Sequence, residues 1–130
     1  MQLLADFGYE GILNDNESPT PGLGLIKGNV IKLKSIGCNE RIPHMGWNSI
    51  KKVSNSRLLK DIPDGTDFYF VHSYGFVPDD KIDIVATSYY SISITAVIGR
   101  DNIWGTQFHP EKSSKAGFNV LKNFISLASC

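Results

Sequence analysis

Cysteine is scarce in this chain: Cys38 and Cys130 are the only two in 130 residues. Their irregular placement excludes a disulfide scaffold and a cysteine-based zinc site, and a reducing, cytoplasmic setting is the expectation. An excess of charge is missing too, with 13 Lys and Arg against 13 Asp and Glu. Without a basic stripe there is no electrostatic footprint for nucleic acid. No apolar run approaches the roughly 20 residues of a membrane span. The opening MQLLADFGYE has no basic start, so no signal peptide is expected. Histidines number three, His44, His72 and His109. None shows the i, i+4 spacing of a helical zinc pair, so neither metal nor cofactor is expected.

What is present suits one modest core, with 42% hydrophobic and 20% charged residues. Residues 1–7 carry apolar side chains at 1, 3, 4 and 7, the stripe of a short helix ended by Gly8 and Gly11. Residues 14–24, NDNESPTPGLG, read as a surface loop. Residues 29–36 alternate weakly and suggest a half-exposed strand. The run 68–71, FYFV, reads as a buried strand. Residues 82–90 and 91–99 suggest two antiparallel strands, and 103–108 one more. From Ser113 the period becomes helical, with Phe118, Leu121, Phe124, Ile125 and Ala128 on one face and Ser113 or Ser114 as the cap. The alternating strand–helix front end that a parallel sheet requires is missing.

The chemistry concentrates in GTQFHPEKSS, residues 105–114. An imidazole with an ordinary pKa of about 6.5 can take and return a proton at neutral pH. Glu111 reaches His109 if the chain turns between them. Pro110 stiffens that turn by fixing its own φ and biasing His109 toward extended geometry. The carboxylate would then set the tautomer and stabilise the imidazolium, the orienting role in a nucleophilic triad. From the tripeptide alone, a solvated surface loop is the other reading.

The flanks carry more. GTQFHPEKS together with PHMGWNSI (43–50), FYFVHSYGF (68–76), the opening MQLL and PGLGLIKGNV (21–30) resembles the class I, or triad-type, glutamine amidotransferases. Within that family the pattern is most similar to glutaminase subunits of imidazole glycerol phosphate synthase, in histidine biosynthesis. The resemblance implies an α/β, flavodoxin-like three-layer fold, of which residues 1–130 form the C-terminal portion, with mixed or antiparallel strands and a closing helix. It also implies an enzyme that hydrolyses L-glutamine and passes ammonia to a (β/α)₈-barrel cyclase, its partner in a heterodimer.

Residue by residue, His109 matches the family's general acid and base, and Glu111 the carboxylate that orients it. Gln2 matches a glutamine-holding amide, and Ser73 with Tyr74 a segment that grips the amino-acid end of glutamine through its backbone. Trp47 matches a partner-interface position, with Tyr69 and Lys112 placed at the same face. A core plug is the other reading of Trp47.

The departure is the nucleophile. The family's turn reads roughly G-x-C-x-G and runs directly into MQ, whereas this sequence opens at that Met. Cys38 and Cys130 are read as bystanders. The expectation is therefore a partial domain without the early strands and the nucleophile turn, inactive alone and poorly folded, because the missing sheet would strip apolar partners from 68–71 and the closing helix. A non-catalytic binding module and a glutaminase feeding amino-sugar synthesis are the alternatives.

Overall fold

The computed structural model describes residues 1–12 and 17–128. Nine strands, six 3₁₀ or α-helical segments and two sheets are built among them. A 3₁₀ turn at Gln2–Leu4 leads to β1 (Phe7–Gly8), β2 (Thr20–Pro21) and β3 (Gly28–Lys32). After a 3₁₀ turn at Leu33–Ile36 come β4 (His44–Lys52), β5 (Asp67–His72) and β6 (Tyr74–Pro78). β7 (Ile84–Tyr90), β8 (Ile92–Arg100) and β9 (Ile103–Thr106) precede a 3₁₀ turn at Pro110–Lys112 and the helix α1 (Ser114–Ala128).

One sheet runs β2-β1-β3-β6 and the other β5-β4-β7-β8-β9. Every pairing is antiparallel except β1 with β3. The expected mixed and antiparallel strands with a closing helix are thus present. β7 and β8 form the expected hairpin, with Tyr90 opposite Ile92 and Ser91 at φ 55° between them.

Several expectations are corrected. Residues 1–7 make a single 3₁₀ turn, and Phe7 enters β1 opposite Asn29. A stripe that short cannot offset helix nucleation, and the Asp6 N–H and C=O are claimed by Gly28 and Gly22. The strand at 29–36 stops at Lys32, where the Leu33 N–H turns aside to the Ser73 carbonyl. The strand at 82–90 gives its first residues to a 3₁₀ turn, Lys81–Asp83, and that at 103–108 ends at Thr106. β5 is buried on one face only: Phe68 and Phe70 point inward, while Tyr69 and Val71 lie half-buried on the other. Of the loop at 14–24, residues 17–24 are described and include β2; 14–16 lie outside the described residues.

The main core lies between the five-stranded sheet and α1. It joins Ile50, Leu58, Phe68, Phe70, Val97, Phe108 and Val120, with Phe68 stacked on Phe108 at 4.0 Å. A second cluster of Ala5, Ile26, Val30, Phe76 and Ile98 lies at the other sheet.

The helix docks by an unexpected side. Gly117 and Val120 are its buried residues, with Ala116 and Leu127 against the core, whereas Phe118 and Ile125 are 65% and 64% exposed. A Cβ on Gly117 would overlap the Pro110 carbonyl, so the small residues let the helix approach the turn before it. Ser113 caps differently from the expectation: its buried hydroxyl donates to the His109 carbonyl at 2.6 Å and accepts the Tyr69 N–H at 2.9 Å. Among the described residues no helix is long and apolar enough to cross a membrane.

Candidate active site

His109 sits where the chain has left β9 and passes alongside β5 at Tyr69. Its N–H donates to the Tyr69 carbonyl at 2.9 Å, and its own carbonyl takes the Ser113 hydroxyl. The backbone of His109 is extended, at φ −94° and ψ 101°, the geometry a following proline favours. Pro110 then opens the 3₁₀ turn, which suits a residue with no N–H to satisfy. At the next residue, the Glu111 Oε1 lies 2.8 Å from His109 Nδ1.

That contact settles a tautomer. A carboxylate only accepts, so in the neutral ring Nδ1 carries the proton and Nε2 is left with its lone pair. The Glu111 carboxyl is held below its ordinary value, first by its own backbone N–H and next by the imidazole. Both side chains keep access to solvent, at 37% and 60% exposure.

A cleft of about 500 Å³ opens beside the pair. Gln2, Ser73, Tyr74, His109 and Glu111 all line it, so the residues singled out from separate motifs meet at one place. The Gln2 side-chain amide donates to the Tyr74 carbonyl at 3.2 Å. Ser73 is fixed in turn, since its carbonyl takes the Leu33 N–H at 3.0 Å.

Among the other residues lining the cleft are two polar side chains to which sequence reasoning gave no role there, His72 and Gln107. His72 is buried and donates from Nδ1 to the Tyr74 carbonyl at 2.8 Å. Gln107 is buried with an Oε1 that takes no hydrogen bond among the described residues. Both stand in plain view inside VHSY and TQFH. Metal spacing among the histidines gives no reason to ask which strand His72 would face.

Trp47, Tyr69 and Lys112 also come together. Trp47 and Tyr69 are cross-strand partners in β4 and β5 with ring centroids 6.1 Å apart, and Lys112 Nζ lies 5.9 Å from the Tyr69 ring centre. Trp47 is 56% exposed, which rules out the core plug, and Met45 and Tyr89 are exposed as well. Lys112 directly follows Glu111, so this face adjoins the cleft.

Cys38 is buried in a separate cluster with Leu33 and Ile94 and is not among the residues lining the cleft. Cys130 lies outside the described residues. Among the described residues no group of three or more His, Cys, Asp or Glu side chains could hold a metal ion.

The family model for glutamine amidotransferase class-I matches residues 1–127, and the chain belongs to that family. Among individual proteins, it is similar to the imidazole glycerol phosphate synthase subunit HisH of Pelagibacter ubique. Identity there is 45%, over 98% of this chain and 58% of the relative. Subunit HisH 1 of Prochlorococcus marinus is 47% identical over 100% of this chain and 60% of its own length. The HisH subunit of Methanocaldococcus jannaschii is 49% identical over 82% and 52%. The chain therefore spans little more than half the length of these relatives. A crystal structure described as one subunit of GMP synthase, from Thermoplasma acidophilum, superposes with a TM-score of 0.60. It is 19% identical and covers 78% of this chain and 49% of that one, which speaks for the fold alone.

Proposed function

We propose that this chain carries the proton-transfer and glutamine-binding parts of a glutaminase of the imidazole glycerol phosphate synthase kind, acting in histidine biosynthesis in the cytoplasm. The observation that carries the reading is the 2.8 Å contact of His109 Nδ1 with Glu111, at the rim of the cleft that holds Gln2, Ser73 and Tyr74. The likeness to HisH subunits supports the choice of pathway.

A cysteine thiolate attacks the side-chain amide carbon of glutamine. His109 Nε2 takes the thiol proton and returns it to the departing nitrogen, so that ammonia leaves and a thioester remains. Water, deprotonated at the same Nε2, then attacks the thioester carbon; the C–S bond breaks, glutamate leaves and the sulfur recovers the proton. Glu111 holds the imidazole in the Nδ1–H form and balances its positive charge in each transfer. Ammonia released into bulk water at pH 7 is mostly protonated and unreactive. The exposed patch of Trp47, Tyr69 and Lys112 beside the cleft is the docking face for the cyclase that consumes it.

Joining this chain to a segment that supplies the G-x-C-x-G turn ahead of Met1 allows the test. His109→Ala in that protein lowers glutaminase kcat by orders of magnitude and leaves KM nearly unchanged. Near-normal turnover in the variant removes His109 from its role.

A further inference from the structure

The two histidines outside the His109 pair form a buried chain with one allowed arrangement of protons. Its fixed point is the Tyr74 carbonyl, which can only accept. His72 Nδ1, 2.8 Å away, must therefore carry hydrogen. His72 Nε2 is then an acceptor, and His44 Nδ1 donates to it across 2.8 Å. That leaves His44 Nε2 to accept from Asn48 Nδ2 at 3.2 Å. The same amide donates to the Tyr89 carbonyl at 2.9 Å, and Asn48 Oδ1 takes the Ser49 N–H. Each polar atom in the chain has a partner.

The setting keeps both rings neutral and still. His44 is 2% and His72 7% exposed. The His44 ring lies between Phe70, centroid 4.8 Å away, and Tyr90, centroid 4.1 Å away, nearly parallel to both. Burial pushes both imidazoles below their ordinary values, His44 to about 4. The β4–β5 register places His44 directly opposite His72, so the contact is built into the sheet.

At its other end the chain meets the cleft. The Tyr74 carbonyl takes two hydrogen bonds, from His72 and from Gln2, which use both of its lone pairs. The orientation of that peptide group is thereby set from one side by the cleft residue Gln2 and from the other by the buried pair.

We propose that His72 and His44 are positioning residues of the glutamine subsite: two neutral Nδ1–H imidazoles in series, tied to β7 through Asn48, that hold the Tyr74 carbonyl and with it the Ser73–Tyr74 backbone. The subsite role rests on the glutamine-binding reading of the cleft; the hydrogen-bond chain does not.

Two measurements on the chain joined to a segment that supplies the G-x-C-x-G turn, with alanine in place of its cysteine so that glutamine is not consumed, separate them. Long-range proton–nitrogen NMR on histidine-labelled protein shows both His44 and His72 as Nδ1–H tautomers, the less common form of free histidine in water. An Nε2–H or doubly protonated ring at either position near pH 7 overturns the chain. Titration with L-glutamine is then compared across variants. His72→Leu removes the donor to Tyr74 and weakens binding about tenfold or more, the size of one lost buried hydrogen bond. His72→Asn, whose amide can occupy the place of Nδ1–H, recovers most of that loss, and His44→Leu falls between them. Equal affinity in His72→Leu and the parent protein, or no recovery with Asn, overturns the positioning role. Parent protein that keeps both Nδ1–H rings yet takes up no glutamine overturns the reading of the cleft, and the subsite role with it, while the hydrogen-bond chain stands.

Discussion

Tyr69 and Ser113, 44 positions apart, are joined by a hydrogen bond of 2.9 Å from the Tyr69 N–H to the Ser113 hydroxyl. The same hydroxyl donates to the His109 carbonyl, so one buried oxygen ties β5 to the His109–Glu111 turn. Ser113→Ala leaves the Tyr69 N–H without its acceptor, while the His109 carbonyl keeps the Lys112 N–H. The substitution lowers stability by about 1–3 kcal/mol in urea unfolding and shifts the His109 ring resonances. A variant with unchanged midpoint and unchanged His109 signals contradicts the bridge.

Gly117→Ala runs against helix propensity. Alanine is favoured over glycine in a helix by about 1 kcal/mol, yet here the new methyl overlaps the Pro110 carbonyl and meets Ser113 Cβ at 2.9 Å. The expected result is net destabilisation of about 1–3 kcal/mol. A gain in melting temperature would show that the helix does not dock by this face.

Two phenylalanines of α1 and β5 report the same docking from the other direction. Phe68 is fully buried against Phe108, and Phe68→Ala costs about 3–5 kcal/mol. Phe118 is 65% exposed, and Phe118→Ala changes stability by no more than about 0.5 kcal/mol. Denaturant midpoints for the two variants check the contrast, and a reversed order restores the helix face expected from periodicity.

Acid should weaken the fold through His44. Its folded value is about 4 because of burial and then the neighbouring His72, against about 6.5 in an unfolded chain. Between those values the unfolded state binds the extra proton, so stability falls as pH drops from about 6.5 toward about 4, with no further loss from this group below that. His72, Asn48 and the rings of Phe70 and Tyr90 surround it. Melting temperatures in His44→Asn change less over this window than in wild type; equal slopes exclude His44 as the cause.

Trp47→Ala separates partner binding from folding. With the indole 56% exposed, stability changes by no more than about 0.5 kcal/mol. If the proposed docking face is right, affinity for a cyclase partner falls by about 2 kcal/mol or more, as for an aromatic anchor at an interface. Calorimetry of the pair measures it, and unchanged affinity moves the docking face elsewhere.

The residues that sequence alone made legible are those whose geometry depends on near neighbours. Pro110 between His109 and Glu111 dictates a short turn whatever surrounds it, and alternating residues on either side of Ser91 dictate a hairpin. β4 escaped notice because Gly46 and Asn48 interrupt the strand pattern of PHMGWNSI. β6 escaped because Gly75 and Pro78 read as turn residues. The opening 1–7 misled because its four apolar positions fit a helix that β3 and the segment 22–26 outcompete for backbone hydrogen bonds.

What the sequence by itself determined is the His109–Glu111 device and the family motifs around it, since a proline-stiffened turn is a local property. Only the tertiary structure decided that Gln2, Ser73 and Tyr74 share a cleft with that pair, that His44 meets His72, and that α1 turns Gly117 rather than Phe118 inward. Those outcomes follow from strand register and from how closely a helix can approach a turn, quantities set by segments distant in the chain and invisible in any one of them.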